Sequence, residues 1–251
     1  MSLDVSKIII NQSDDYLFNI LNIDNYNKKD SIFFNYYNHI KKFDKKIKGD
    51  LLEFGVFQGR SLLSTALLLK KINSKKKIYA FDTFKGFPKY SEYDQLTHFK
   101  NFKKEIQEKH YITKKVRSLF NNSVNIKNIS SSKEFVNSQL INLRKKIRLL
   151  KLDNIRIIQG EFSKTIPVFL RKKRKIFSLI IDCDLYDGYK VVLENIYPHL
   201  EKKGYIHLDE YYSPSFPGPK IAVDAFCKKN KVKLKVHKKI KGQFPRYYLS
   251  K

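Results

Sequence analysis

The apolar residues of this chain form two kinds of pattern: short uninterrupted runs, and longer stretches with a spacing of three or four residues. Short runs bounded by glycine or charged residues predict buried strands, and the spaced stretches predict amphipathic helices. Predicted strands start at Leu51 and cover 77–82, 155–158, 177–181 and 205–208, with predicted helices at 62–69, 165–170 and 191–200 between them. This alternation predicts an α/β fold with a mostly parallel sheet flanked by helices.

The chain divides into a short amino-terminal part and one large domain. Residues 1–49 carry helical apolar spacing, and we expect them to form a helical cap. Residues 50–251 are expected to form a single domain, since no repeat or Pro/Gly-rich linker divides them. A lysine-rich insertion at about 89–150 interrupts the alternation and suits either a lid or a surface excursion. Two short segments, 233–237 and 247–249, predict a closing antiparallel pair of strands.

The turn after the first predicted strand has the features of a ligand-binding loop. Gly55 and Gly59 allow the backbone to approach a ligand closely, and Ser61 opens the next helix. The following strand ends in Asp82, which a right-handed parallel unit places beside that turn. An acid at this distance along the chain often binds ribose hydroxyls. Alternatively, Asp82 caps the turn that follows it.

Four carboxylates follow two later strands. Asp182 and Asp184 come after 177–181, and Asp209 and Glu210 come after 205–208. Adjacent parallel strands lie about 4.8 Å apart, so these side chains can share a hard cation such as Mg²⁺. The alternative is that Asp182 caps a turn while the second pair faces solvent. The six histidines show no zinc-type spacing, and His207 is expected to be a packed side chain.

Composition narrows the function classes. The net charge of +27, from 51 Lys+Arg against 24 Asp+Glu, favours anionic partners. Basic residues are nevertheless scattered through almost every segment, which indicates compositional bias, and no RNA-binding module is recognisable, so nucleic acid is an unlikely partner. The apolar runs are too short to cross a bilayer, and Cys183 and Cys227 are too few for a disulfide framework. We therefore expect a cytoplasmic protein with no membrane span.

Four blocks of sequence together resemble the macrocin O-methyltransferase (TylF/MycF/NovP-like) family. They are residues 53–61, 81–88, 181–186 and 208–211, and the resemblance covers roughly residues 45–250. It implies a class I, Rossmann-like methyltransferase fold with a seven-stranded sheet. It also implies a homodimer that uses S-adenosylmethionine and Mg²⁺ to methylate a hydroxyl of a saccharide acceptor.

The resemblance also assigns roles to individual residues. Asp184 matches the general base, and Asp182, Asp209 and Glu210 match the metal ligands. The family commonly has aspartate at the position of Glu210. The implied cofactor contacts are Glu53, Phe54, Gly55, Gly59, Arg60, Ser61, Asp82, Thr83, Gly160, Glu161 and Asp182.

Three hypotheses of function follow. The first is an S-adenosylmethionine- and Mg²⁺-dependent O-methyltransferase acting on a sugar, a glycosylated small molecule or a polysaccharide precursor. The second is an NAD-type oxidoreductase, which would share the glycine turn and Asp82 but would need a third glycine. The third is an RNA-binding protein or RNA methyltransferase, which only the charge favours.

Overall fold

A seven-stranded sheet forms the centre of the computed structural model, which describes residues 8, 15–95, 98, 139–213, 216–237 and 245–251. The strand order is β3-β2-β1-β4-β5-β7-β6; β1 to β5 are parallel, and β7 runs antiparallel to both β5 and β6. The predicted mostly parallel sheet and its closing antiparallel pair are confirmed. The strands are β1 Asp50–Phe54, β2 Ile78–Asp82, β3 Ile155–Gln159, β4 Ile176–Ile181, β5 Leu200–Leu208, β6 Lys235–Val236 and β7 Tyr247–Ser250.

Helices connect and cover these strands. In the described part of the chain they are α1 Tyr16–Ile20, α2 Phe34–Phe43, α3 Arg60–Lys71, α4 Leu140–Leu149, α5 Phe162–Leu170, α6 Tyr186–Ile196 and α7 Gly218–Asn230, with short 3-10 turns at Glu92–Asp94 and Tyr197–His199. The helix predicted at 191–200 begins earlier, at Tyr186. Its first turn is polar apart from Tyr186 and Tyr189, and Tyr189 is fully buried in the core. The part of the predicted insertion at 99–138 lies outside the described residues.

Two apolar layers cover the sheet. On one face, Leu51 and Phe177 pack with α3 and with the fully buried Tyr36 and Tyr37 of α2. On the other face, Leu52, Phe54 and Ile181 pack with α5, α6 and α7. Alternate residues of β1 therefore enter opposite layers, as expected for a strand buried on both faces. No helix among the described residues is long and apolar enough to cross a membrane.

Strand register sets the positions of the residues that follow the strands. Phe54 at the end of β1 pairs with Phe81 of β2 and with Ile181 of β4, and Ile181 pairs with Leu208 of β5. The four strands therefore end level with one another at the carboxyl edge of the sheet. The register of β5 shifts only near its start, where Leu200 pairs with Ile176 but Tyr205 already pairs with Ser178.

Candidate functional site

A cavity of about 700 Å³ opens at the carboxyl edge of the sheet. The turns after β1, β2, β4 and β5 form its walls, together with the start of α5 and Arg246. Predicted site residues that line it in the described part of the chain are Gly55, Asp82, Thr83, Glu161, Asp182, Asp184, Asp209 and Glu210. The predicted residues thus converge on one cavity from five separate turns, those after β1, β2, β3, β4 and β5.

The turn after β1 contacts the backbone that follows β4. Gly55 has a φ of +85°, and a Cβ built there would collide with the carbonyl oxygen of Asp182. Gly59, with a φ of +81°, precedes α3 at a point where a Cβ would collide with Leu143. A positive φ favours glycine at both positions, and Gly55 in addition brings the turn directly against the backbone of the acidic segment.

Asp82 binds two turns at once. Its Oδ2 atom accepts hydrogen bonds from the backbone N–H groups of Val56 (2.7 Å) and Phe57 (3.0 Å). Its Oδ1 atom accepts one from Phe84 N–H at 2.7 Å, which is the turn-capping role considered as an alternative. A carboxylate has about four acceptor positions, so Asp82 retains capacity for a further donor in the cavity. The predicted contact with ribose stays a prediction.

Phe54, Arg60 and Gly160 are predicted cofactor residues that do not line the cavity. Phe54 stacks on Phe81 in the core, with ring centroids 4.5 Å apart. The Arg60 side chain is turned toward Asp24, with 3.4 Å between Nη2 and Oδ1. Gly160 donates its N–H to the carbonyl oxygen of Asp82 at 2.9 Å, which places the next residue on the wall. The predicted cofactor contacts of these three residues stay predictions.

Glu53 is fully buried beneath the turn. The Ser61 hydroxyl donates a hydrogen bond to its Oε1 atom at 2.8 Å, while Oε2 is buried without a hydrogen-bond partner among the described residues. Burial raises the pKa of the Glu53 carboxyl group well above its ordinary value. The side chain does not line the cavity in this conformation.

Three carboxylates form a cluster on the cavity floor. Ligand atoms of Asp182, Asp184 and Glu210 all lie within 4.8 Å of one another. Burial and the nearby Asp209 raise the pKa of Asp182 to about 7, and burial and Asp182 raise that of Glu210. A divalent cation would relieve this repulsion, and carboxylate oxygens are the ligands that Mg²⁺ prefers. The residues present therefore fit a hard divalent cation.

Asp209 is engaged differently from the other three acids. Its Oδ1 atom lies 3.2 Å from Nη1 of Arg246 and 3.4 Å from Nε2 of His207. Although burial opposes ionisation, these groups hold the pKa of Asp209 below its usual range. Asp184, rather than Asp209, completes the tightest group of three carboxylates in this conformation. The assignment of Asp209 as a ligand stays a prediction.

Tyr189 and Arg246 are site residues that the sequence did not indicate. The buried hydroxyl of Tyr189 lies 2.6 Å from Oε2 of Glu210 and 2.8 Å from the carbonyl oxygen of Ile181, to either of which it can donate. It accepts a hydrogen bond from Glu210 N–H at 3.1 Å. Arg246 also donates to the Asp209 carbonyl oxygen at 2.7 Å. Both residues fix acidic groups that come from other elements.

Aromatic side chains line the outer part of the cavity. Phe87, Tyr212 and Phe216 contribute to the lining, and the rings of Phe87 and Phe216 meet edge to face at 5.9 Å. Tyr211 instead packs into the core layer beside α7. Tyr212 belongs to the same core layer as well as to the cavity lining, and residues 214 and 215 lie outside the described part.

Two solved methyltransferase structures have a similar architecture. The O-methyltransferase NovP covers 87% of this chain and 78% of its own at 20% identity, with a TM-score of 0.62. The calicheamicin methyltransferase CalS11 covers 98% and 89%, also at 20% identity, with a TM-score of 0.63. These similarities show the class I, Rossmann-like methyltransferase fold.

A sequence relative and a family model agree with the fold. The relative is the 8-demethyl-8-(2,3-dimethoxy-alpha-L-rhamnosyl)-tetracenomycin-C 4'-O-methyltransferase of Streptomyces olivaceus, which is 25% identical over 166 residues. The match spans 66% of this chain but only 54% of that relative. The family model of macrocin-O-methyltransferase (TylF) matches residues 37–243. The chain therefore belongs to the macrocin-O-methyltransferase (TylF) family.

Proposed function

We propose that this protein is an S-adenosylmethionine- and Mg²⁺-dependent O-methyltransferase that acts on a hydroxyl of a sugar or a glycosylated small molecule. One observation carries the proposal: the Gly55 turn and the Asp182–Asp184–Glu210 cluster are two walls of the same cavity, in backbone contact with each other. A methyl donor on one wall and an acceptor hydroxyl on the other would meet at that contact.

We call the turn at 55–57 together with Asp82, Thr83 and Glu161 the cofactor wall of the cavity. The turn at 55–57, Asp82 and Thr83 would hold the methionine and ribose parts, with Glu161 near the base. When bound, S-adenosylmethionine supplies a methyl group already activated by its sulfonium centre. The protein's task is therefore to align the acceptor oxygen with that carbon and to exclude water.

The acidic wall would orient and deprotonate the acceptor. Asp182 and Glu210 would hold Mg²⁺, with Asp209 as the third predicted ligand, and a bound cation would favour ionisation of a hydroxyl in its reach. Asp184 would accept the proton. Its φ of +62° is unusual for a residue other than glycine, and such strained conformations are concentrated at functional sites. Seven other described non-glycine residues also have a positive φ, so the proposed role of Asp184 rests on its place in the carboxylate cluster.

The acceptor class is supported by family membership and by the sugar substrate in the name of the Streptomyces relative. The aromatic side chains of Phe87, Tyr212 and Phe216 provide apolar faces on which a sugar ring can stack. We also propose a cytoplasmic homodimer, as the family resemblance implies. Sedimentation velocity would test the dimer.

Calorimetric titration tests the proposed function. S-adenosylmethionine should bind with or without Mg²⁺, whereas NAD should not bind. Asp182→Asn should abolish the Mg²⁺-dependent part of turnover, and Asp184→Asn should lower kcat by about 10² or more with little change in cofactor affinity. Asp187→Asn is the matched control, because Asp187 lines the same cavity outside the cluster. Failure to bind S-adenosylmethionine, or full activity of Asp184→Asn, would overturn the assignment.

A further inference from the structure

Basic residues line the edge of the sheet opposite the cavity. Each of the parallel strands β1 to β5, and β6 as well, is preceded or begun by a segment that carries lysine. We call the exposed basic side chains of these segments, together with the last residue of the chain, the amino-edge face. It comprises Lys45, Lys46, Lys48, Lys75, Lys77, Lys151, Arg171, Lys172, Lys173, Lys175, Lys202, Lys203, Lys231, Lys233 and Lys251.

Hydrogen bonds tie neighbouring segments of this face together. The Lys76 ammonium group donates to the carbonyl oxygens of Ile47 (2.6 Å) and Gly49 (3.0 Å), and Asp50 N–H donates to the Lys175 carbonyl oxygen at 3.1 Å. At the other end of the face, Lys203 N–H donates to the carbonyl oxygen of Lys251 at 2.6 Å. The basic side chains are therefore presented from a fixed framework.

Local structural roles account for only a few of these charges. Lys175 pairs with Glu201 at 3.2 Å, and basic residues near helix ends, such as Lys231 after α7, complement the helix dipole. These roles do not explain why five consecutive residues at 171–175 are basic. They also do not explain Lys202 and Lys203, which are exposed where the register of β5 shifts. Concentrated like charge opposes folding through self-repulsion.

The distribution of charge gives the molecule two unlike edges. The carboxyl edge carries Asp82, Asp182, Asp184, Asp209 and Glu210 beside the basic Lys89 and Arg246, whereas the amino-edge face is strongly positive. Seven strands at about 4.8 Å spacing make this face roughly 30 Å wide. Carboxylates also occur there, at Asp44, Asp50, Asp153 and Glu201, but the exposed lysines greatly outnumber them.

We propose that the amino-edge face docks the protein on an anionic phospholipid surface, with the cavity facing away from the lipid. The face is a broad row of lysines with a single exposed arginine, Arg171, and its segments at 45–49, 74–77, 151–154, 171–175, 201–204 and 231–235 contain no aromatic residue. Single-stranded nucleic-acid sites stack bases on aromatic side chains, which these segments lack. Clustered lysines near a charged bilayer gain affinity additively without specific contacts.

Vesicle co-sedimentation of the full chain tests this proposal. Binding to vesicles of phosphatidylglycerol and phosphatidylcholine is expected at about 0.05 M NaCl, should weaken about tenfold or more by about 0.3 M, and should be absent on phosphatidylcholine alone. A charge-reversed face variant should bind about a hundredfold more weakly. Its substitutions are Lys45→Glu, Lys48→Glu, Lys172→Glu and Lys173→Glu.

A matched control separates location from net charge. It makes the same change in charge at exposed positions outside the face, by Lys29→Glu, Arg144→Glu, Lys145→Glu and Lys190→Glu. The control should lose less than about fivefold in binding. Circular dichroism and S-adenosylmethionine binding check that both variants fold. Equal losses in the two variants, no binding to anionic vesicles, or tighter binding to a DNA or RNA duplex than to the vesicles would each overturn the proposal.

Discussion

Glu53 shows how burial controls the chemistry of a single side chain. Burial raises the pKa of this carboxyl group well above its ordinary value, so the folded protein favours the protonated form more strongly than the unfolded chain does. Such a group contributes its full stability below pH 4.5 and loses it as the pH rises. Ser61 supplies a donor that either a carboxyl or an amide oxygen can accept.

We therefore expect Glu53→Gln to be at least as stable as the wild type at pH 7, with the difference shrinking toward pH 4.5. Urea unfolding at several pH values measures this difference. A loss of more than about 1 kcal/mol at pH 7 would show instead that the acid is ionised. Glu53→Ala is the control, since it also removes the acceptor of Ser61. Unchanged S-adenosylmethionine affinity in Glu53→Ala would contradict the predicted cofactor contact of Glu53.

Individual site residues were predictable where they directly follow a strand. Gly55, Asp82, Asp182, Asp184 and Glu210 come immediately or almost immediately after apolar runs, so the sequence alone placed them at one edge. Arg246 and Tyr189 were not predictable in this way. Arg246 reaches Asp209 because β7 pairs with β5, and Tyr189 reaches Glu210 from α6. Such partners depend on tertiary packing, which no local pattern encodes.

At the scale of elements, the junction of β1 and β4 is the tightest point of the site. Gly55→Ala adds a methyl group against the Asp182 carbonyl oxygen and requires a positive φ that alanine disfavours. We expect this variant to lose about 2 kcal/mol or more of folding stability, and to bind S-adenosylmethionine at least about tenfold more weakly.

Denaturant unfolding and calorimetry measure the two effects. Gly59→Ala is a useful comparison, because its clash is with the flexible side chain of Leu143 rather than with backbone. It should therefore disturb cofactor binding less than Gly55→Ala does. Wild-type cofactor affinity in Gly55→Ala would show that the β1 turn does not shape the cofactor wall.

The sequence also predicted most elements, because strands buried on both faces appear as continuous apolar runs. It failed at the start of α6, where Tyr186, Asp187 and Gly188 resemble a loop although Tyr189 is a core residue. Glycine occurs there because a Cβ at Gly188 would press on the Cys183 side chain. Where a helix packs closely against a turn, its first residues lack the apolar spacing that predicts a helix.

For the whole molecule, two neutral histidines link stability to pH. His39 stacks between Phe177 and Tyr205, and His237 stacks on Tyr248; burial lowers the pKa of both imidazoles to about 4. The neighbouring Lys42 lowers the pKa of His39 further, and His207 that of His237. The unfolded chain binds these protons near pH 6.5, so it is favoured as the pH falls.

We expect folding stability to receive the full contribution of these residues above about pH 6.5 and to lose it progressively toward pH 4. Urea unfolding of the wild type and of a His39→Gln/His237→Gln double variant measures the two slopes. The double variant will have lower stability at every pH because packing is lost, but its dependence on pH in this range should be flatter. Parallel slopes would contradict the link.

The register shift at the start of β5 makes the amino end of this strand structurally independent of its carboxyl end. Extra residues at 201–204 are accommodated there, while the pairs Ile180–His207 and Ile181–Leu208 keep regular register up to Asp209. The length of this segment can therefore change without moving the carboxyl end of the strand. We therefore expect residues 201–204 to be a suitable insertion site for a peptide tag or a fluorescent reporter. Such an insertion should preserve the geometry of Asp209 and Glu210.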